Sequence, residues 1–375
     1  MPERSDPKLN ERSEAMDAFL AGAGWGDAAR APLPGDASTR RYVRLSRGGR
    51  KAMLMDQAPG AETPDAPASA TPDERQALGY NAVARLAGGD CGRFIAAANY
   101  LRKRGLSAPE ILAADPKQGF VILEDLGDGL FADVVADGNE LDLYRGAAEV
   151  LAALHADRAP GVLPPDKALH PYDETAMTAE VDLLTDWFMP VALGRAASAD
   201  EVADHRGLWK AALAALKPDP VFVHRDFHAQ NLLWLPGREG AARVGLIDFQ
   251  DAVAGSKAYD LISLVEDARR DVAPDVAEAT TRHYLDTMRA QGTPLDEAEF
   301  RGQMAVTAAQ RNAKIVGIFA RLHKRDGKAR YLSYLPRVWG HLNKDLEHPA
   351  MRDLKAWYDR TIPRDARGAP EGVPA

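Results

Sequence analysis

The chain has 375 residues, of which 46% are hydrophobic and 27% are charged, and 47 basic against 55 acidic side chains give a net charge of −8. This composition is too apolar for a disordered chain, and at roughly 100–200 residues per domain the length predicts two lobes or one large domain. An acidic chain without a basic block does not favour nucleic acid as a partner.

The cysteine content and the absence of long apolar segments both bear on the cellular compartment. Cys91 is the single cysteine and has no partner for an internal disulfide, and the first residues contain no apolar signal region. No run approaches the roughly 18–20 apolar residues that span a bilayer. These features predict a cytoplasmic protein without a membrane partner, and we expect a monomer.

The first part of the chain predicts a small, strand-rich region. A helix over about Glu11–Ala21 is followed by a glycine-rich segment at 22–26, and strands over Tyr42–Leu45 and Ala52–Met55 are joined by a turn at Gly48–Gly49. The glycine-rich segment resembles a phosphate-binding loop. It follows a helix rather than a strand, however, so we interpret it as a helix stop.

Further along, residues 58–72 are rich in Pro and Ala and predict a mobile surface insertion. A helix over about Phe94–Arg104 then leads to an apolar strand at Phe120–Leu123. The strand ends in an acidic segment that contains Gly127, where we expect the connection between two lobes. Beyond it, apolar residues recur at helical spacing.

The predicted fold class is therefore α+β, with a small β-rich N-terminal lobe and a larger, mainly helical C-terminal lobe. We predict lobes over residues 1–127 and 128–363, followed by a Gly- and Pro-rich frayed tail over 364–375. Fixed-period repeats are not visible, which excludes solenoids and propellers.

Two apolar segments in the second lobe, Leu232–Leu235 and Arg243–Ile247, flank a turn that contains Pro and Gly and predict a β-hairpin. If the turn is centred between them, Asn231 and Asp248 lie opposite each other at the open end of the hairpin. An amide oxygen beside a carboxylate suits Mg²⁺, a hard cation that takes few protein ligands and completes its shell with water and phosphate oxygens.

Asp226 lies five residues before Asn231 in the same predicted loop. A carboxylate there can accept a proton from a substrate hydroxyl while the metal neutralises a transferring phosphoryl group. The pattern His-x-Asp-x-x-x-x-Asn at 224–231, followed by a hairpin and an apolar residue before Asp248, is typical of the catalytic region of kinases. The structural alternative, a polar loop between buried strands, explains the spacing less well.

Residues 221–264 resemble the aminoglycoside phosphotransferase family, whose members are kinases of small hydroxylated molecules with a protein-kinase-like fold. The resemblance implies that ATP and Mg²⁺ are the cofactors. It also implies that Asp226 is the catalytic base, that Asn231 and Asp248 are the magnesium ligands, and that Asp260 has a structural role.

Within this family, the sequence is most similar to the amino-sugar kinases, in segments 35–42, 123–128, 248–253 and 316–328. This similarity implies ATP-dependent phosphorylation of the anomeric C1 hydroxyl of N-acetylmuramate or N-acetylglucosamine, a step of peptidoglycan recycling. The expected partners are then an amino sugar and ATP.

One departure from the kinase pattern concerns the triphosphate. The third-strand lysine that holds phosphates in kinases is missing, and Lys51 lies early in its strand. Arg40 and Arg41, in the loop that also contains Ser38 and Thr39, are candidates to supply the positive charge because a guanidinium binds two phosphate oxygens at once. The candidate nucleotide contacts are therefore Ser38, Thr39, Arg40, Arg41 and Lys51.

The base of the nucleotide is expected at the connecting strand, through the backbone of Glu124 and Leu126, although a capped strand end is the alternative interpretation. Candidates for holding the sugar are polar or aromatic side chains near the predicted loop or in the helical lobe: His228, Gln250, Asp251, Glu180, Trp187 and Arg321. A packing role for Trp187 and a solvated position for Arg321 remain open.

Two other functions are compatible with these patterns. A kinase of another small alcohol, such as choline, homoserine or an aminoglycoside, would share the same loop. A nucleotide-binding pseudokinase would explain the missing lysine, but the presence of Asp226, Asn231 and Asp248 together favours an enzyme.

Overall fold

The computed structural model describes residues 7–34, 39–60, 66–86, 89–135, 138–217 and 219–369. The chain forms two compact units. The first contains Met1–Gly129, Val162–Ala168 and Leu233–Asp251, and the second contains Leu130–Gly161, Leu169–Leu232 and Ala252–Ala375. The segments at 162–168 and 233–251, which the predicted boundary after residue 127 places in the second lobe, belong to the first unit.

The described residues form short strands and longer helices, which confirms the predicted α+β class. The strands are β1 Ala29–Pro32, β2 Arg41–Arg47, β3 Arg50–Asp56, β4 Ile111–Asp115, β5 Phe120–Glu124, β6 Val162–Leu163, β7 Lys167–Ala168, β8 Val221–Val223, β9 Leu232–Trp234, β10 Val244–Leu246 and β11 Val253–Gly255. The helices are α1 Pro7–Gly22, α2 Pro72–Leu78, α3 Cys91–Lys103, α4 Phe131–Val134, α5 Glu140–His155, α6 Glu174–Leu183, α7 Met189–Leu193, α8 Ala199–Leu213, α9 Ala258–Val265, α10 Pro274–Ala290, α11 Glu297–Asp326, α12 Leu335–Asp345 and α13 Arg352–Thr361.

The first unit is built on a five-stranded antiparallel sheet in the order β1-β2-β3-β5-β4. The predicted turn between β2 and β3 is present, with φ of 54° at Gly48 and 79° at Gly49. These positive φ angles favour glycine because it has no Cβ. The edge strands β1 and β4 were not predicted.

Helix α1 covers one face of this sheet. Leu20 and Trp25 pack against Leu54 and Phe120, and Phe19 stacks on Phe120 with ring centroids 5.6 Å apart. Period-two alternation along the strands supplies this apolar face. The helix ends at the glycine-rich segment, as predicted.

The predicted insertion at 58–72 is only partly within the described structure, since residues 61–65 lie outside it. Ala66 is buried. Thr71 caps α2 through a reciprocal pair of bonds with Glu74, which satisfies two backbone N–H groups. The end of this segment is therefore held in regular structure. A single π-helical turn, Asn81–Arg85, follows.

The second unit packs around α11. Its hydrophobic core includes Trp209, Trp339 and Trp357, each at most 1% exposed. At Gly317, α11 approaches α6 closely: a Cβ at this position would lie 2.4–2.6 Å from backbone atoms of Leu183. A side chain larger than hydrogen does not fit there.

The last described residues differ from the predicted frayed tail. Arg364–Ala366 form a 3₁₀ turn, and Arg367 is buried and donates hydrogen bonds to Ile362 O, Asn343 and Asp359. Residues 370–375 lie outside the described structure. Within the described ranges, no helix has the length and apolarity that crossing a membrane requires.

Candidate active site

The predicted loop at 224–231 follows β8 in the second unit, and a buried carboxylate determines its shape. Strand β8 pairs with β11, with Val223 opposite Val253. Asp260 is fully buried and accepts the backbone N–H groups of His224 at 2.6 Å and Arg225 at 2.9 Å. These bonds stabilise Arg225 in the left-handed region at φ 76°, a conformation that costs energy for a residue with a Cβ.

Burial also changes the acid–base behaviour of this carboxylate. It raises the pKa of Asp260 to about 7, against the opposing effect of the two backbone hydrogen bonds and with a smaller upward contribution from Asp226. Through its two hydrogen bonds to the backbone, the buried Asp260 side chain holds the loop in place.

Asp226 and Asn231 are joined through the backbone of this loop. Asn231 Nδ2 donates to Asp226 O at 2.9 Å, and the backbone N–H of His228 donates to the same oxygen at 3.1 Å. Both side chains are half-buried. Because the amide nitrogen of Asn231 is bonded within the loop, its Oδ1 is the atom that is available to a cation.

His228, a candidate sugar contact in the sequence, lies in the protein interior. Its side chain is 5% exposed, and its Nε2 accepts a hydrogen bond from Arg269 Nη1 at 3.1 Å and lies 3.4 Å from Asn231 Nδ2. Burial, and next the charge of Arg269, lower the pKa of His228 to about 3. The imidazole is therefore neutral at physiological pH and packs under the loop.

Glu180 is likewise an interior residue rather than an accessible sugar ligand. It is 1% exposed and pairs with Arg225 Nη2 at 2.5 Å and Lys314 Nζ at 2.8 Å. The hydroxyl of Tyr172 also donates to it. Arg225 and Lys314 come from distant parts of the chain, and together with Tyr172 they bind the Glu180 carboxylate.

The other two C-terminal candidates lie among the helices of the second unit. Trp187 is half-buried in the π-helical turn Leu184–Phe188 and packs against the hydrophobic core. Arg321 is half-buried on α11. A sugar contact by either side chain stays a prediction.

In the first unit, Asp248 follows the β9–β10 hairpin that the sequence predicted. Its φ is 65°, again in the left-handed region, and its side chain is 42% exposed. Gln250 Nε2 donates to Asp248 Oδ1 at 3.0 Å. The neighbouring Phe249 stacks on Phe94 of α3 with centroids 4.8 Å apart. Packing on α3 thus fixes the backbone that presents this carboxylate.

Two arginines accompany the acidic residues of this segment. Arg40 is 6% exposed, and its Nη1 lies 3.4 Å from Asp248 Oδ1. Arg85, which the sequence analysis did not single out, pairs with Asp251 through bonds of 2.6 and 3.2 Å. The bidentate Arg85–Asp251 geometry fixes both side chains. A guanidinium beside Asp248 provides positive charge close to a candidate metal ligand.

The remaining nucleotide candidates divide by exposure. Ser38 lies outside the described residues, and Thr39 opens the described segment after it. Arg41 and Lys51 are exposed on β2 and β3. Their exposure leaves them without the enclosed environment that Arg40 has.

At the expected hinge, the side chain of Glu124 pairs with Arg238 Nη2 at 2.5 Å. Its backbone N–H donates to Glu110 O at 2.8 Å. Leu126 is half-buried and borders Gly245. The role of either backbone in binding a base stays a prediction.

The candidate metal ligands have a donor set that fits Mg²⁺, since both offer oxygen. In the described part of the chain, no group of three or more His, Cys, Asp or Glu side chains is arranged to hold a metal ion. Asn231 belongs to the second unit and Asp248 to the first, so their joint binding of one ion is a matter for the proposal below.

Comparison with known proteins identifies the family of the chain. Residues 30–295 match the model of the phosphotransferase enzyme family. The chain is 44% identical to the N-acetylmuramate/N-acetylglucosamine kinase of Caulobacter vibrioides over 96% of this chain and 99% of that protein. It is 32% identical to the protein of the same name from Pseudomonas aeruginosa, over 85% of each chain.

Solved structures with the same fold are more distant in sequence. A choline/ethanolamine kinase family protein from Mesorhizobium loti has a TM-score of 0.55 and 17% identity, covering 92% of this chain and 98% of that one. A microcompartment-associated aminopropanol kinase has a TM-score of 0.56 and 15% identity over the same shares.

The fold and the catalytic-loop pattern define a kinase of the protein-kinase-like class. More particularly, the chain belongs to the phosphotransferase enzyme family and is an ATP-dependent phosphotransferase.

Proposed function

We propose that the protein transfers the γ-phosphoryl group of ATP to the anomeric C1 hydroxyl of N-acetylmuramate, N-acetylglucosamine or both. The loop that carries Asp226 and Asn231 on the buried Asp260 is the observation that carries this proposal. The names of the curated relatives support the amino-sugar substrate. A sugar 1-phosphate produced in this way fits the recycling of peptidoglycan sugars by a cytoplasmic monomer.

Asp226 is the proposed catalytic base. Its half-buried carboxylate accepts the proton of the C1 hydroxyl as the sugar oxygen forms its bond to the γ-phosphorus, and the bond between that phosphorus and the β,γ-bridging oxygen breaks to release ADP. Most of the acceleration comes from positioning these groups in line and from neutralising charge. The rigid loop supports the positioning role.

Asn231 Oδ1 and the carboxylate of Asp248 are the proposed magnesium ligands. When bound, the ion supplies positive charge to the phosphate oxygens. The hydrogen bond from Asn231 Nδ2 to Asp226 O orients the amide so that its oxygen is presented. Gln250 orients the Asp248 side chain in a similar way, by donating to one of its carboxylate oxygens.

Arg40 is the proposed substitute for the missing strand lysine. It is enclosed and lies next to Asp248, so its guanidinium can bind phosphate oxygens close to the ion. Ser38, Thr39, Arg41 and Lys51 remain candidate phosphate contacts. The backbone of Glu124 and Leu126 is proposed to bind the base.

For the sugar, Gln250 and Asp251 are the proposed contacts that follow the metal-binding segment, with Trp187 and Arg321 as further candidates. Asp251 is held by Arg85 at 2.6 Å, so its carboxylate is presented in a fixed orientation. His228 and Glu180 are bonded to cationic side chains within the second unit and are proposed to support the loop instead.

The test is a substrate screen with purified protein, using N-acetylmuramate, N-acetylglucosamine, choline and an aminoglycoside. Phosphorus NMR locates the new ester, and a sugar 1-phosphate is the expected product. Transfer to choline or to the drug alone would overturn the substrate assignment, and absence of transfer to all four would favour a pseudokinase.

The variant Asp226→Asn tests the mechanism. We expect kcat to fall about 10²–10⁴-fold, the range that general-base groups contribute, while ADP binding stays within about twofold of the wild type because the loop keeps its shape. The matched control is Asp219→Asn, an exposed carboxylate that pairs with Lys257 in the same unit. Wild-type turnover in Asp226→Asn would contradict the assigned base.

A further inference from the structure

We propose that Arg269 is a positioning residue for the metal site: through His228, it keeps the side-chain amide of Asn231 turned so that oxygen rather than nitrogen is presented to Mg²⁺. This inference rests on the proposed role of Asn231 as a metal ligand. All three residues belong to the second unit.

The Asn231 amide needs hydrogen-bond partners to fix its orientation. The two ends of an asparagine side chain have nearly the same shape, so only its hydrogen-bond partners decide which end faces a ligand. Asn231 Nδ2 donates to Asp226 O at 2.9 Å and lies 3.4 Å from His228 Nε2. The first partner is always an acceptor, but the second is an acceptor only in one tautomer of the imidazole.

Arg269 determines this tautomer. Its Nη1 lies 3.1 Å from His228 Nε2, and a guanidinium has donors but no acceptor. Nε2 must therefore carry the lone pair, and the proton of the neutral ring is on Nδ1. Asp226 O and His228 Nε2 then both act as acceptors towards the Asn231 amide. If the amide flipped, its Oδ1 would face Asp226 O and the lone pair of His228 Nε2. Both contacts would be repulsive.

Removing the guanidinium changes this balance. His228 can then carry its proton on Nε2, where it donates to the Oδ1 of a flipped Asn231. The flipped form turns Nδ2, which cannot bind a cation, towards the metal. Arg269 is itself held in place, because its backbone N–H donates to Asp267 Oδ1 at 2.8 Å and Asp267 is 1% exposed.

The test compares Arg269→Met with Arg270→Met, because the side chain of Arg270 donates to Glu140 and Tyr144 instead of His228. Binding of a fluorescent ADP analogue is measured as Mg²⁺ is titrated, and again in EDTA. We expect Arg269→Met to raise the apparent Mg²⁺ dissociation constant about tenfold, with metal-free ADP binding and the KM for the sugar unchanged. Arg269→Lys, which keeps a donor, is expected to restore part of the Mg²⁺ affinity.

Two measurements separate this role from general damage to the fold. Nitrogen NMR of the imidazoles is expected to show His228 as the Nδ1–H tautomer in the wild type and as a mixture in Arg269→Met. In a His228→Ala background, Arg269→Met is expected to have no further effect on Mg²⁺ affinity. An equal loss in both backgrounds, an unchanged tautomer, or a change confined to the KM for the sugar would overturn the proposal.

Asn231→Ala distinguishes the failure of this inference from the failure of the proposed function. If Asn231→Ala leaves Mg²⁺-dependent ADP binding unchanged, the metal-ligand assignment is wrong and this inference falls with it. If Asn231→Ala weakens that binding and Arg269→Met does not, the metal site stands and only the positioning role of Arg269 is refuted.

Discussion

Replacing Glu180 by Gln tests whether this residue supports the fold or binds the sugar. The change keeps the shape of the side chain but removes the charge that neutralises Arg225 and Lys314, whose nitrogens lie 2.5 and 2.8 Å from the carboxylate. Both cations then lose the counter-charge that Glu180 provides. Breaking a buried ion pair by removing one partner costs about 3–5 kcal/mol.

A loss of this size lowers the thermal midpoint by roughly 6–20 °C for a unit of this length. Tryptophan fluorescence suits the measurement, because four of the six tryptophans belong to the second unit: Trp187, Trp209, Trp339 and Trp357. The matched control is Glu174→Gln on the same helix, where an exposed carboxylate lies 3.4 Å from Lys210. Exposed pairs of this kind contribute about 0–1 kcal/mol.

The pH dependence of the difference gives a second check. Burial raises the pKa of Glu180, but Lys314 and Arg225 together lower it by more, so the net shift of the pKa is downward. A carboxyl whose pKa is lower in the folded than in the unfolded state stabilises the fold above its unfolded pKa of about 4.3 and loses this contribution as the pH falls further. The gap between wild type and Glu180→Gln should therefore be full at neutral pH and shrink in acid. A raised KM for the sugar at unchanged stability would refute the reasoning and restore Glu180 as a substrate ligand.

Two further predictions concern packing and the triphosphate. Gly317→Ala places a methyl group under 3 Å from backbone atoms and should destabilise the protein by about 1–3 kcal/mol. Gly340→Ala has open space around the new methyl group and should be neutral or stabilising. Urea unfolding compares the two variants, and equal unfolding midpoints would contradict the close approach at Gly317. Arg40→Ala should raise the KM for ATP about tenfold or more, since hydrogen bonds to charged groups contribute about 1.5–3 kcal/mol, while Lys51→Ala should change it less than about twofold. Steady-state kinetics measures both, and the opposite ranking would return the phosphate contact to the strand lysine.

Sequence patterns predicted those parts of the molecule that depend on neighbours along the chain. The β2–β3 turn follows from Gly48 and Gly49, and the hairpin before Asp248 follows from two apolar segments around a turn. The fold class and family followed from motifs of the same local kind. The edge strands β1 and β4 were missed because short, partly exposed strands carry little periodic signal.

Interactions between distant residues were not predictable in this way. Arg85 pairs with Asp251, 166 positions away, and Arg269 reaches His228 across 41 positions. The sequence made Glu180 a candidate sugar contact because its charge is visible there, whereas its burial is not. A charged residue in a sequence does not reveal whether a counter-charge from elsewhere encloses it.

The division of the first unit into three chain segments has a consequence for its synthesis. Its sheet is complete once residue 129 has been made, but the hairpin segment that carries Asp248 ends only at residue 251. At about 5–20 residues per second, a ribosome needs roughly 6–25 s more to reach that point. During this interval Asp248 is not yet present beside Arg40, and Phe249 is not yet present to stack on Phe94. A fragment that stops near Gly129 would lack the 233–251 segment permanently, so an intact first unit requires chain well beyond its sheet.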